Sequence, residues 1–158
     1  MCPMVYNLAV ATEADVSTNA TPATENETFF IKAGVRNVAL QAMYVLGKGA
    51  GLTAISGIVH RIIKWGTAST AGTTITPAPR DPGMQAAKHT AASAPTAGTS
   101  RTNSGPVFGC GAAGPGGWVA PNPDSVIVLE GSSAASIDGL NASGTASLKF
   151  EWSAESVE

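Results

Sequence analysis

Residues 145–152 read Thr-Ala-Ser-Leu-Lys-Phe-Glu-Trp, and this stretch decides the fold class because apolar and polar side chains alternate along it. A period of two is typical of a β-strand with one buried and one solvated face. Just upstream, residues 124–130 form a compact apolar run closed by Gly131, and residues 135–138 predict a short strand. The last third of the chain therefore predicts antiparallel β-structure.

The first third shows the same signature. Residues 27–32 are rich in strand formers, and residues 37–45 alternate so that Val38, Leu40, Ala42 and Tyr44 share one face. Three glycines in residues 47–51 predict a turn. Residues 5–10 predict an edge strand, and the polar residues 12–26 predict a loop or an extended arm.

Residues 52–65 fit two patterns. Ile55, Ile58, Val59, Ile62 and Ile63 have the spacing of an amphipathic helix, which would place His60, Arg61 and Lys64 on the solvated side. The β-branched content and an internal glycine favour a strand. We expect a strand that forms a hairpin with residues 37–45.

Residues 66–117 contain six prolines and few large apolar side chains. Loops longer than about 12–15 residues are uncommon in a compact domain unless they are functional or disordered. The composition predicts a long irregular loop that a neighbouring subunit orders, because the segment itself offers little apolar surface to bury.

The run from residue 108 to 124 is the richest in glycine and proline, which predicts extended irregular chain. Phe108 and Trp118 are the large aromatic residues within it. We expect both side chains to anchor the run on the sheet or on a neighbouring subunit.

The complete pattern predicts an all-β fold, an antiparallel β-sandwich or jelly roll. Residues 1–27 would supply a strand and an extended arm. Residues 28–158 would form a single sandwich domain that carries the long loop 66–117.

Composition narrows the function. The net charge is −2 and there is no basic cluster, so we expect no nucleic-acid partner. The N-terminal residues lack the pattern of a secretory signal, and no apolar run is long enough for a membrane span, which predicts a chain made in a cytoplasm. In that compartment Cys2 and Cys110 are expected to be free thiols.

The sequence carries no catalytic, cofactor or metal signature. His60 and His89 each have a basic neighbour, which predicts histidines at the surface, and Asp81, Asp124 and Asp138 are expected in turns or at strand ends. The glycines near residue 110 lack the helix that a dinucleotide site requires. We therefore expect a protein that is not an enzyme.

Residues 76–83 predict a short polyproline II segment that ends in a turn. Pro77 and Pro79 would either engage a partner or act as a stiff spacer in the loop. Arg80 and Asp81 are candidates for a charge pair that fixes this segment to a neighbour.

Several phrases together resemble virion proteins of tailed bacteriophages, and specifically small head proteins of the decoration or cement type. They are residues 34–41, 47–52, 75–83, 108–124 and 143–151. The resemblance implies a β-rich protein, often a trimer, that lies on the outer capsid surface of the virion and clamps subunits of the major capsid protein.

Two alternatives remain open at this point. A tail or baseplate subunit would share the same features. A carbohydrate-binding β-sandwich that helps adsorption would need several exposed aromatic side chains, and the chain has only Trp65, Trp118 and Trp152 as tryptophans.

Overall fold

The computed structural model describes residues 4–10, 26–48, 57–93, 96–111, 115–143 and 149–158. Twelve strands, numbered in chain order, and one 3-10 helix make up its regular elements. They are β1 Val5–Val10, β2 Asn26–Lys32, β3 Val38–Lys48, β4 Gly57–Thr67, β5 Thr73–Ile75, β6 Ala78–Pro79, β7 Thr90–Ser93, β8 Thr99–Gly111, β9 Pro115–Val119, the 3-10 helix Pro123–Ser125, β10 Ile127–Leu129, β11 Ser136–Ser143 and β12 Lys149–Val157.

The strands form two antiparallel sheets. The first sheet has the order β10-β3-β12-β1-β6, and β9 also pairs with β3; the second has the order β5-β7-β2-β11-β4-β8. This arrangement confirms the prediction of an all-β antiparallel sandwich. β1 pairs with β12 along its whole length and with the two-residue β6 on its other side, so it is the last long strand at that edge.

The hydrophobic core fills the space between the sheets. Phe29 of the second sheet stacks on Trp152 of the first, with ring centroids 4.2 Å apart. Leu40, Met43, Ile62 and Ile137 are completely or almost completely buried around this pair. Gly139 lies against the Phe29 ring, and a Cβ at position 139 would clash with that ring, so a glycine is required here.

The interior face of β3 changes phase at a β-bulge. Ser156 and Glu155 of β12 pair with Leu40 and Ala42, which leaves Gln41 as the extra residue. Consequently Val38 and Leu40 are buried before the bulge, whereas Met43 and Val45 are buried after it. The expectation that Tyr44 shares a face with Leu40 is wrong, and the Tyr44 side chain is exposed.

The central strands of the second sheet, β2, β11 and β4, are covered on both faces. Consecutive residues are buried in each of its central strands: Phe29 to Ile31 in β2, Ile62 and Ile63 in β4, and residues 136–140 in β11. The segment after β4 supplies part of the outer cover, because Ala68 and Ser69 are buried there and Ala68 donates its N–H to the Ala134 carbonyl. The outer face of the central strands of this sheet is therefore covered by the chain itself.

The prediction of a long irregular loop at 66–117 is wrong for most of that segment. It contributes β5 to β9, and residues 29–32 of β2 pair directly with β7. Small side chains suit this pairing, because Ala91, Ala92 and Ser93 fit closely against the neighbouring strand and are buried. Backbone hydrogen bonds within the same chain order the segment, so no neighbouring subunit is needed to explain it.

The glycine-rich run 108–124 also contains strands. It begins within β8, and β9 then pairs with β3. Pro115 occupies the first position of β9, where a missing N–H is tolerated. Gly117 lies so close to the Met43 carbonyl and the Tyr44 ring that a side chain would be crowded. Residues 112–114 lie outside the described residues.

Residues 57–65 form a strand, as expected, but the predicted hairpin is wrong. β3 belongs to the first sheet, whereas β4 pairs with β11 and β8 in the second. The strand expected at 124–130 starts later, because residues 123–125 form the 3-10 helix. The turn glycines 49 and 51, the arm residues 12–25, residues 52–56 and 145–148, and Cys2 lie outside the described residues.

Candidate functional site

A row of apolar side chains crosses the outer face of the first sheet. Val128, Ala39, Val157 and Val5 are in register on β10, β3, β12 and β1. Their neighbours Leu129, Leu40, Ser156 and Tyr6 are buried, so by strand alternation the row faces away from the core. Val128 is 42% exposed and the other three are half-buried. We call these four residues the valine row.

A groove of about 560 Å³ lies over this row. Val5, Ala39 and Val157 line its floor, and residues 120–123 form a wall. Two prolines stiffen that wall, and Asn122 caps the 3-10 helix by accepting hydrogen bonds from the Asp124 N–H at 3.0 Å and the Ser125 hydroxyl at 2.9 Å. The groove is therefore a shaped, mostly apolar surface on a rigid sheet.

Arg80 is the one charged residue that lines the groove within the described part of the chain. Its Nη2 lies 2.6 Å from Glu155 Oε1, so the expected pairing of Arg80 with Asp81 is wrong. Strand geometry explains the difference, because the Arg80 N–H donates to the Val5 carbonyl and this places Arg80 beside the first sheet. Both side chains are partly exposed, so the pair contributes only about 0–1 kcal/mol and mainly orients the guanidinium.

The sequence-predicted contact residues fall into two groups. Pro79 pairs with Tyr6 in β6 and precedes Arg80 at the groove, Pro77 is half-buried just before β6, and Asp81 is exposed in the following turn. Phe108 and Trp118 instead are partly buried and pack against the core. The structure thus brings Arg80 to the groove, with Pro79 beside it in β6, and uses Phe108 and Trp118 for packing.

His60 and His89 are both buried, so the prediction of surface histidines is wrong. His60 lies in β4, where adjacent residues face opposite sides, so its basic neighbour Arg61 does not report its exposure. His60 stacks on Phe108, with ring centroids 5.5 Å apart. His89 lies in a polar cluster between β1, β7 and β12.

The His89 cluster links a serine, the imidazole and a carboxylate. Ser156 Oγ lies 2.9 Å from His89 Nε2, and His89 Nδ1 lies 2.6 Å from Glu158 Oε1. The same carboxylate oxygen accepts the backbone N–H groups of Lys88 and His89. Burial opposes ionisation of Glu158, but these hydrogen bonds from His89 and Lys88 outweigh it and lower the pKa of the carboxyl group.

Ser156, His89 and Glu158 follow one another in the order of a nucleophile, a base and an orienting carboxylate. Ser156 is, however, 0% exposed, and the Tyr6 ring packs edge-on against His89 at 5.3 Å. In this conformation the hydroxyl does not meet solvent or a substrate. The cluster therefore connects β12, β1 and the segment before β7.

A second buried cluster surrounds Asp138, so its expected position in a turn or at a strand end is wrong. Asp138 lies within β11 and is 0% exposed. Its carboxyl oxygens contact the hydroxyls of Ser136 and Ser69, and Ser69 also reaches Glu27 Oε2 at 2.9 Å. Burial first, and the charge of Glu27 second, raise the pKa of Asp138 to about 8.

Neither cluster has the ligands of a typical metal centre. Within the described residues, no three His, Cys, Asp or Glu side chains come together as potential metal ligands. No helix in the same residues has the length and apolar character of a transmembrane span.

Some of these features left a signal in the sequence. Ser136 and Asp138 are two positions apart in a predicted strand and so share a face, and Ala39 alternates against the buried Val38 and Leu40. The valine row as a whole left no signal in the sequence, because it depends on the register of four strands that are distant in sequence. No protein-family model, curated protein or solved structure matches the chain.

Proposed function

We propose that this chain is a structural, non-enzymatic virion protein of a tailed bacteriophage, which decorates the outer capsid surface and bridges subunits of the major capsid protein. The valine row with its groove carries the proposal. It is an apolar strip on an exposed sheet face, whereas the central strands of the second sheet are covered on both faces. Covering such a strip with a protein partner is favourable, because apolar area is removed from water.

The sequence resemblance to decoration proteins supplies the identity of the partner. Low overall charge and a rigid β-scaffold suit permanent attachment to a protein shell. Arg80 and Asn122 border the groove and offer polar contacts at its rim, which is the usual composition of a protein–protein interface. Assembly as a trimer is part of the proposal, and light scattering at micromolar concentration tests it.

A carbohydrate-binding role receives less support. Trp152 is 2% exposed, the Trp65 indole N–H donates to Glu27 Oε1 at 2.6 Å, and Trp118 packs against the core. Sugar-binding sandwiches need aromatic faces that are open to solvent, and these three indoles are engaged in packing or hydrogen bonding.

The test uses phage heads assembled without this chain and the purified protein added back. We expect Val128→Lys and Ala39→Lys, which each place a charge in the valine row, to weaken binding to heads at least about tenfold, because the ammonium group loses hydration in the interface. Val35→Lys is the matched control, because Val35 is 78% exposed and lies outside the row. It should bind like the wild type.

Circular dichroism melting of each variant separates a lost contact from a lost fold. Equal binding by all three folded variants would rule out the valine row as the contact surface. Electron microscopy of the particle locates the protein. Density on the outer capsid supports the decoration role, whereas density in the tail or baseplate contradicts it and supports a tail or baseplate subunit.

A further inference from the structure

The Ser69 hydroxyl lies between two carboxyl groups. Its Oγ is 2.9 Å from Glu27 Oε2 and 2.5 Å from Asp138 Oδ2. A serine hydroxyl has one proton and so donates to only one of these oxygens. The other contact is a hydrogen bond only if that carboxyl group carries a proton and donates it to Ser69 Oγ.

The remaining partners show that one proton on the two carboxyl groups is sufficient. Glu27 accepts from the Trp65 indole N–H at 2.6 Å, so both of its oxygens act as acceptors when Ser69 donates to it. Ser136 accepts the Ser69 backbone N–H at 3.1 Å and uses its own proton for Asp138 Oδ1. Every contact is satisfied by one proton on the pair, in either of two arrangements. In the first, Asp138 Oδ2 donates to Ser69 and Ser69 donates to Glu27; in the second, Glu27 Oε2 donates to Ser69 and Ser69 donates to Asp138.

The surroundings favour the first arrangement, with the proton on Asp138. Asp138 is fully buried, and desolvation penalises its charged form more than any neighbour compensates. The other charged or titratable side chains on the elements around the pair are Lys32 on β2, His60, Arg61 and Lys64 on β4, and Arg101 on β8. The Lys64 ammonium is directed to the Val128 carbonyl of the other sheet.

We propose that Glu27 and Asp138 hold a single proton in the folded protein, and that this proton locks β2, β11 and the segment after β4 together until alkaline pH removes it. With both groups ionised, Ser69 satisfies only one of them and two negative charges face each other in a buried site. Ser69 is then expected to separate from one carboxylate, which loosens the outer cover of the second sheet.

The expected pH dependence follows from proton binding. An aspartate in the unfolded chain has a pKa near 4, whereas that of folded Asp138 is raised to about 8. Between these values the folded state holds a proton that the unfolded state has released. Stability therefore falls as pH rises from about 4 to about 8. The folding equilibrium constant decreases by up to tenfold per pH unit in this range, and the contribution of this proton to stability is constant above it.

Asp138→Asn tests the proposal, because an asparagine imitates the protonated acid. Its amide oxygen accepts from Ser136 and its NH₂ group donates to Ser69. In urea unfolding between pH 5 and pH 8, we expect the variant to lose much of the pH dependence of the wild type. Asp81→Asn changes an exposed carboxylate and should keep that dependence.

Infrared spectroscopy observes the proton directly. Wild-type protein at pH 7 should show a carboxylic acid carbonyl band that shifts when aspartate, but not glutamate, is isotope-labelled, and that disappears as the pH passes about 8. Asp81→Asn should keep the band. If Asp138→Asn does not fold, Glu27→Gln replaces it: its NH₂ group satisfies Ser69, and the band should then disappear at a lower pH. A wild type without the band at pH 7 overturns the proposal.

Discussion

Ser156 shows how much one buried hydroxyl contributes, because it is the partner of His89 Nε2. Ser156→Ala leaves that ring nitrogen buried without this hydrogen bond. We expect a loss of about 1–3 kcal/mol in the free energy of unfolding, measured by urea denaturation at pH 7.

Ser153→Ala is the matched control for Ser156→Ala. Ser153 lies on the same strand, β12, but is half-buried, so its replacement should change stability by about 0.5 kcal/mol or less. Equal effects of the two substitutions would contradict the role of the Ser156 hydrogen bond. Labelling of folded Ser156 by a serine-reactive phosphonate would instead indicate that the cluster opens to solvent.

At the residue scale, burial of polar groups was the least predictable property. His89 next to Lys88, and Asp138 among serines, both have the local composition of a surface. What buries them is the chain that crosses over them, and this chain comes from positions far away in sequence. Trp152 was predictable because the strand that carries it alternates clearly, and the structure places it in the core as expected.

At the scale of the element, the bulge in β3 predicts opposite outcomes for two single-residue deletions in the same strand. Removing Gln41 should straighten the strand and keep Leu40 and Met43 in the core, because regular alternation then connects them. The cost should be modest, about 1 kcal/mol for the lost bond from the Ala120 N–H to the Gln41 carbonyl. Removing Tyr44 should turn Val45 away from Met43 and prevent folding.

Circular dichroism and chemical denaturation of the two deletion variants measure this difference. If the Tyr44 deletion is as stable as the Gln41 deletion, then the bulge does not set the phase of β3.

Strands with strong apolar alternation were predictable as elements, and those with small polar residues were not. β7 has the sequence Thr-Ala-Ala-Ser, which is weak as an isolated signal, yet it pairs with β2 over four residues. The hydrogen bonds of a strand come from its neighbour, so its own side chains reveal little when they are small. The glycine turn after β3 likewise predicted a hairpin, although β3 and β4 belong to different sheets.

On the scale of the whole molecule, the sequence predicted the antiparallel sandwich but not its candidate contact surface. Composition and the alternation of apolar and polar residues are enough for the fold class, because the alternation shows the period of two of each strand. The valine row requires the order of β10, β3, β12 and β1 and their register, which depends on tertiary packing. Arg80 was identified as a contact candidate, whereas its ionic partner Glu155 became visible only in the folded chain.

The order of strands within the sheets has a consequence for protein synthesis. β12 lies between β3 and β1, and β11 lies between β2 and β4, so in each sheet a late strand separates two that the ribosome makes earlier. While β12 is still inside the ribosomal tunnel, the gap between β3 and β1 is unfilled, and β1 cannot be hydrogen-bonded into the first sheet by β12. We expect arrested nascent chains of this length to be digested rapidly by protease, and chains extended by a linker that brings β12 outside to resist digestion. Resistance before β12 emerges would mean that the rest of the sandwich folds during translation without it.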